Sequence, residues 1–179
     1  MIRYSEPVFR KSLSAVASWR RTHAVRREDA MREHPDHHDA ELMLRLYDLR
    51  REETLRQARA WLIQEFHADS ADDLYQRYPS GSKENAYFRM AVSYWDMAAS
   101  IVNHGLIKEE FFFENNGEFW FVWEKVKHLI PKLREGRRNP LMYHSLETLV
   151  GKYEKRLEGR APGALSVSRE RVRQATAKS

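Results

Sequence analysis

Six polar residues on one apolar stretch are the first candidates for chemistry. Asn85, Arg89, Ser93, Asp96, Ser100 and Asn103 follow steps of 4, 4, 3, 4 and 3, which put them on one face of a helix. Two readings stay open. The face is either a narrow solvent-facing stripe or a buried polar seam that faces neighbouring helices or a ligand. In the second case Asp96 needs a donor and Arg89 an acceptor, because a buried charge without a partner is strongly destabilising. His104 follows the seam and suggests a base oriented by Asp96. Their spacing of eight residues sets them two turns apart, and a histidine in a last helical turn is favoured by the dipole alone.

The segment HPDHHD gathers His34, Asp36, His37, His38 and Asp39. The ligand types suit a metal, but all come from one stretch at a helix start, where a structural site normally draws on two elements. A solvated helix start is the plainer reading, and no metal or other cofactor is expected. HExxH, paired Glu-x-x-His, GxSxG, GxGxxG and P-loop patterns are all missing. With no cysteine there is no thiolate metal site, disulfide or cysteine nucleophile. The expectation leans away from an enzyme.

The elements that must position these residues read as helices throughout. Helical spacing of Leu42, Leu46 and Leu49, then a slipped phase at Leu55, Ala58, Leu62 and Phe66, predicts two helices at about 37–49 and 52–67, joined at Arg50 and Arg51. A short piece capped by Ser70 follows. The central helix, 82–104, has Ser82 as N-cap and Gly105 as its stop. From Ala86 to Asn103, 13 of 18 residues are apolar, so it is expected to be surrounded on most sides.

The run Phe111, Phe112, Phe113 with Trp120 and Trp123 is the densest aromatic zone. Core packing is its first explanation, but three consecutive Phe cannot all point inward from one helix face, which leaves a partner groove as the alternative. Pro131 is expected to kink or shorten the helix that holds Trp123, and Asn139 followed by Pro140 to open the next one, carrying Met142 to Leu157. From Gly159 onward a flexible basic tail is expected. The fold class is therefore all-α, an irregular bundle of about five to seven helices around buried helix 82–104.

Charge divides the 179 residues differently. The chain carries +5 overall, yet residues 1–33 and 159–179 hold +4 each and the body between them −3. The domain reading is a basic amphipathic segment at 1–34, a helical domain at 35–158 and a basic tail at 159–179. The first segment sets Phe9, Leu13 and Val16 on one stripe, with Arg10, Lys11, Arg20, Arg21, Arg26 and Arg27 around it as candidate partner contacts. Its Arg and Ser content is also that of an organelle transit peptide, against which Glu6 and the lack of a boundary stand. No apolar run approaches membrane-spanning length. A cytoplasmic location is expected.

Three stretches together, YFRMAVSYWDMAASIVNHGLIKEEFFFE, GEFWFVWEKV and RRNP ahead of a helix, carry a family likeness. Over about residues 36–158 the chain resembles an uncharacterised bacterial family of small helical domains, a domain of unknown function. The resemblance implies an all-helical fold and assigns no catalytic or binding residue. The function expected is a non-enzymatic helical interaction or scaffold domain with a protein partner. The alternatives are a small-ligand binder or enzyme using the seam from Asn85 to His104, and nonspecific binding of nucleic acid or anionic membrane by the basic ends.

Overall fold

The break between the first two helices shows how local chemistry sets the architecture. In the computed structural model, which describes residues 34–177 with side chains as far as 174, α1 (His37–Arg51) ends where Glu52 turns to extended backbone. The Glu52 carboxylate accepts the N–H groups of Thr54 at 3.0 Å and Leu55 at 2.8 Å, capping α2 (Glu53–Gln64). Those backbone bonds hold its carboxyl below the ordinary value. The slipped apolar phase thus marks a real junction, displaced by one residue.

The chain continues through α3 (Ala71–Arg77), capped by Ser70, into the long α4 (Lys83–Asn103). Ser82 accepts the N–H of Asn85 at 3.1 Å, and beyond the helix Gly105 takes φ +71°, a left-handed conformation that suits glycine. Helix α4 buries ten of its 21 residues and exposes Lys83, Arg89, Ser93 and Met97. It packs against α2 on one side and against α8 (His144–Arg160) on the other. Ala91, Val92, Trp95, Ala98 and Ala99 along it are all buried. Short α5 (Glu109–Asn115) and α6 (Glu118–Val126) close a second aromatic cluster, in which Phe113 and Phe119 each meet Tyr153 of α8 edge-on with centroids 5.2 Å apart.

Two expectations about elements are corrected and a third is met. The helix that holds Trp123 is shortened, ending at Val126, and Pro131 lies beyond it. It sits in the first turn of a separate helix, α7 (Ile130–Gly136), where its missing N–H costs no intrahelical bond. Pro140 does not open α8. Asn139 accepts the Leu141 N–H at 3.1 Å in a turn, and the helix begins only after Tyr143, which holds the left-handed φ of 57°. The segment beyond Gly159 is not a featureless tail either: α9 (Ala164–Ala177) packs against α6 and α8, burying Leu165 and Val172. Among the described residues this makes nine helices and no strand, where five to seven helices were expected. None of them is long and apolar enough to cross a membrane.

Ion pairs fasten the shorter elements. Arg59 of α2 makes a two-pronged bond to Glu118 at the start of α6, with Nε 2.6 Å from Oε1, and donates to the Arg50 carbonyl at 3.1 Å. The free C-terminal end of α1 is thereby tied to α6. Arg169 of α9 bonds Glu154 at 2.6 Å, and the same carboxylate accepts the Trp120 Nε1–H at 2.9 Å.

Candidate functional site

The polar residues of α4 divide between structural work and solvent. Asn85 is buried and donates to the Tyr78 carbonyl at 3.0 Å. Arg89 and Ser93 are exposed. Asp96 has the donor its position required: its carboxylate accepts the N–H of Leu146 at 2.9 Å, and Asn103 donates to the Ser145 carbonyl at 2.9 Å. Tyr143, the residue before α8, makes no side-chain cap. A carboxylate from α4 therefore satisfies the first turn of α8 and complements its dipole. Removing it, as Asp96→Ala, is expected to cost about 1 kcal/mol, read as a lower urea midpoint, and Asp96→Asn should retain part of that stability. An unchanged midpoint in Asp96→Ala would mean the bond contributes nothing.

The seam does not bring Asp96 and His104 together as a catalytic pair. The His104 Nδ1 bonds the Ser100 carbonyl at 2.8 Å, one turn back along its own helix, while Asp96 is engaged with α8. Beside Asn85 and Arg89 the open space is only about 10 Å³, room for no more than a single water. In the HPDHHD stretch His34, Asp36, His37 and His38 are exposed but Asp39 is not. Asp39 is buried and accepts the Lys108 N–H at 2.6 Å, anchoring the start of α1 to the entry of α5. Among the described residues no three His, Asp or Glu side chains are grouped to hold a metal ion. Arg10, Lys11, Arg20, Arg21, Arg26 and Arg27 lie outside the described residues.

Cavities of ligand size lie elsewhere. Between α1, α4 and α5 a cleft of about 370 Å³ is lined by Met43, Leu44, Tyr47, Trp95, Phe111 and Phe112, with Arg50, Asn115 and Asn116 as its polar groups. Its volume falls within the range of about 300–1,000 Å³ typical of small-molecule pockets. The three consecutive phenylalanines explain the wall. Phe112 and Phe113 point into the core, and Phe111, one position off their stripe, is left half-buried at the cleft. Across from it α1 presents Leu44, 65% exposed, and Tyr47, 50% exposed, one turn apart.

Electrostatics single out Arg50. Its guanidinium carbon lies 5.6 Å from the Tyr47 ring centroid and 5.8 Å from that of Trp95, and Arg51 stacks on the same Tyr47 ring at 5.8 Å. Below them Tyr94 donates to the Leu46 carbonyl at 2.7 Å, and burial pushes its hydroxyl up to about 12.

Sequence reasoning placed Arg50 only as a helix junction. The available signal was the i, i+3 pair Tyr47 and Arg50 on an α1 whose apolar residues spread over more than one face.

A second, more open depression of about 540 Å³ lies between α6 and α9, with Lys125, Lys127, His128 and Arg169 among its walls. Its charges are largely spoken for. Lys127 pairs with Glu124 at 2.7 Å and Arg169 with Glu154. Lys125, only 7% exposed, donates to the Ile63 carbonyl at 3.0 Å, and burial lowers its pKa from the usual lysine value. The α1–α4–α5 cleft, apolar and with an arginine at its rim, is the better candidate.

No curated protein and no solved structure matches this chain. A family model does, over residues 35–153, the span from the start of α1 to Tyr153 that holds the cleft and the whole of α4. The chain belongs to the DUF4760 family, a domain of unknown function.

Proposed function

We propose that this is a non-enzymatic helical interaction domain that works by receiving an apolar side chain of a protein partner in the α1–α4–α5 cleft. The observation that carries the reading is the uncovered apolar wall: Leu44 and Tyr47 on α1 and Phe111 on α5 face a ligand-sized space. Exposed apolar surface concentrated at a concave site is the usual mark of an interaction surface, whereas singly scattered exposed apolar residues are ordinary. The walls on α1 and α5 are tied by the Asp39 to Lys108 bond, and the C-terminal end of α1 is held by the Arg59 bond to the Arg50 carbonyl, so the site is preformed and a partner meets little ordering cost. The absence of a recognisable catalytic motif in the sequence supports binding over turnover.

The neutral probe 4-phenylbutanol tests the cleft. Added to the isotopically labelled full chain, it is expected to shift the amide resonances of 43–50 and 111–116 well above those of α7 and α9. Leu44→Glu, at an exposed position, should weaken those shifts while leaving the helical spectrum intact. Shifts scattered over the surface, or none at all, would remove the cleft as the interaction site.

A further inference from the structure

The half-buried arginines of this fold have carboxylate partners at close range: Arg59 has Glu118, Arg134 has Glu147 at 2.8 Å, Arg156 has Glu110 at 2.7 Å and Arg169 has Glu154 at 2.6 Å. Arg50 is also half-buried, yet its one side-chain hydrogen bond among the described residues is a long 3.5 Å contact to the neutral Asn116 amide. Among the described residues no carboxylate lines the cleft. Of the two acids two positions away in sequence, Glu52 is held by the N–H groups of Thr54 and Leu55, and Asp48 is exposed to solvent. A guanidinium has five N–H donors in a planar fork, and here it lies over the Tyr47 and Trp95 rings at the mouth of an apolar space. Arg51, on the same Tyr47 ring, adds a second positive charge.

We infer that the segment entering the cleft is acidic as well as apolar: it presents a bulky apolar side chain to the wall of Leu44, Tyr47 and Phe111 and an adjacent Asp or Glu carboxylate to the Arg50 fork. The inference rests on the proposed use of the cleft and adds the chemistry of the partner. A carboxylate fits the fork with two parallel N–H bonds, an arrangement stronger and more directional than a neutral hydrogen bond. Partial removal of Arg50 from water strengthens the attraction relative to an exposed pair, while the aromatic faces beneath it keep the group from folding away. The apolar wall alone accepts any hydrophobic group. Arg50 gives the site a choice.

The test compares two probes of nearly the same shape, 4-phenylbutyrate and 4-phenylbutanol, titrated into the full chain by calorimetry or amide shifts. Phenylbutyrate is expected to bind roughly tenfold more tightly, the ratio that a net charge-assisted bond of about 1.4 kcal/mol gives. Arg50→Met, which keeps an apolar stem against Trp95, should bring the two affinities within about twofold of each other. Leu44→Glu, which sets a competing carboxylate at the exposed mouth, should weaken phenylbutyrate by roughly tenfold more than it weakens phenylbutanol and serves if Arg50→Met does not fold. Equal affinities in the unaltered chain would overturn the carboxylate while leaving the apolar cleft standing. Retention of the preference in Arg50→Met, or in Leu44→Glu where that variant stands in, would also overturn it. If neither probe binds, the proposed use of the cleft falls together with the inference.

Discussion

Truncating Trp95 to alanine is expected to cost about 3–5 kcal/mol of unfolding free energy, the largest single effect of any substitution considered for this domain. Trp95 is 1% exposed at the middle of α4, with Tyr94 4.9 Å and Phe119 6.2 Å away between ring centroids. Its ring also lines the α1–α4–α5 cleft and carries the stacked Arg50. Removing it takes away apolar contact and joins the vacated space to the cleft, so that water reaches the core. Trp95→Phe should be far milder, because it keeps a ring in place and the buried Trp95 Nε1–H has no hydrogen-bond partner to lose among the described residues. Urea denaturation with an unchanged slope provides the comparison. A loss under about 1 kcal/mol for Trp95→Ala would mean that the ring is not part of the core.

The second large effect is on the alkaline side. Burial pushes the Tyr94 hydroxyl from 10.0 up to about 12, Glu118 adds to the shift, and Arg50 and Arg59 oppose it. The folded value lies above the unfolded one. The stabilisation is therefore fully present below about pH 10 and is lost as pH rises through about 12. Two units correspond to about 2–3 kcal/mol. Buried Tyr143 is shifted in the same direction and steepens the fall. Lys125 acts with the opposite sign. Its folded pKa is depressed, so the fold disfavours its charged form and stability rises as pH climbs from that depressed value to 10.5. The expected profile is a gentle rise followed by a steep alkaline loss. In Tyr94→Phe the neutral-pH stability should drop by about 1 kcal/mol as the Leu46 carbonyl loses its donor, while the alkaline limb flattens. An alkaline limb equally steep in Tyr94→Phe would assign the loss to other groups.

Much of the helical architecture was written in short-range chemistry. The serine caps at Ser70 and Ser82, the stop at Gly105 and the phase slip near Arg51 each depend on a few neighbouring residues, and capping and periodicity are local properties. One error came where a local signal had a competing local solution, the other where tertiary contact made the difference. Asn139 satisfied the Leu141 N–H in a turn and left Pro140 outside α8. Arg169, Leu165 and Val172 made a helix of a segment whose sparse apolar content reads as a tail, because α6 and α8 supply the surface on which it folds.

The candidate site was less legible, for a different reason. Spacing along one helix put Asn85, Arg89, Ser93, Asp96, Ser100 and Asn103 on a shared face. What that face meets depends on residues far away in sequence, and the bond that engages Asp96 spans 50 residues to Leu146. Phe111 shows the boundary most clearly. Adjacent positions on a helix cannot share one direction, so the sequence required one of the three phenylalanines to diverge from the core. Only the packing of α1 against α4 and α5 decided that the divergent ring would form a wall opposite Leu44 and Tyr47. The same packing brought Arg50 over Trp95, 45 residues away in sequence. Sequence alone determined most of the helices, the serine caps and which residues were apolar enough to be buried. Tertiary structure decided which charges found partners and where an apolar space stayed open, because both depend on distances between elements that local periodicity does not encode.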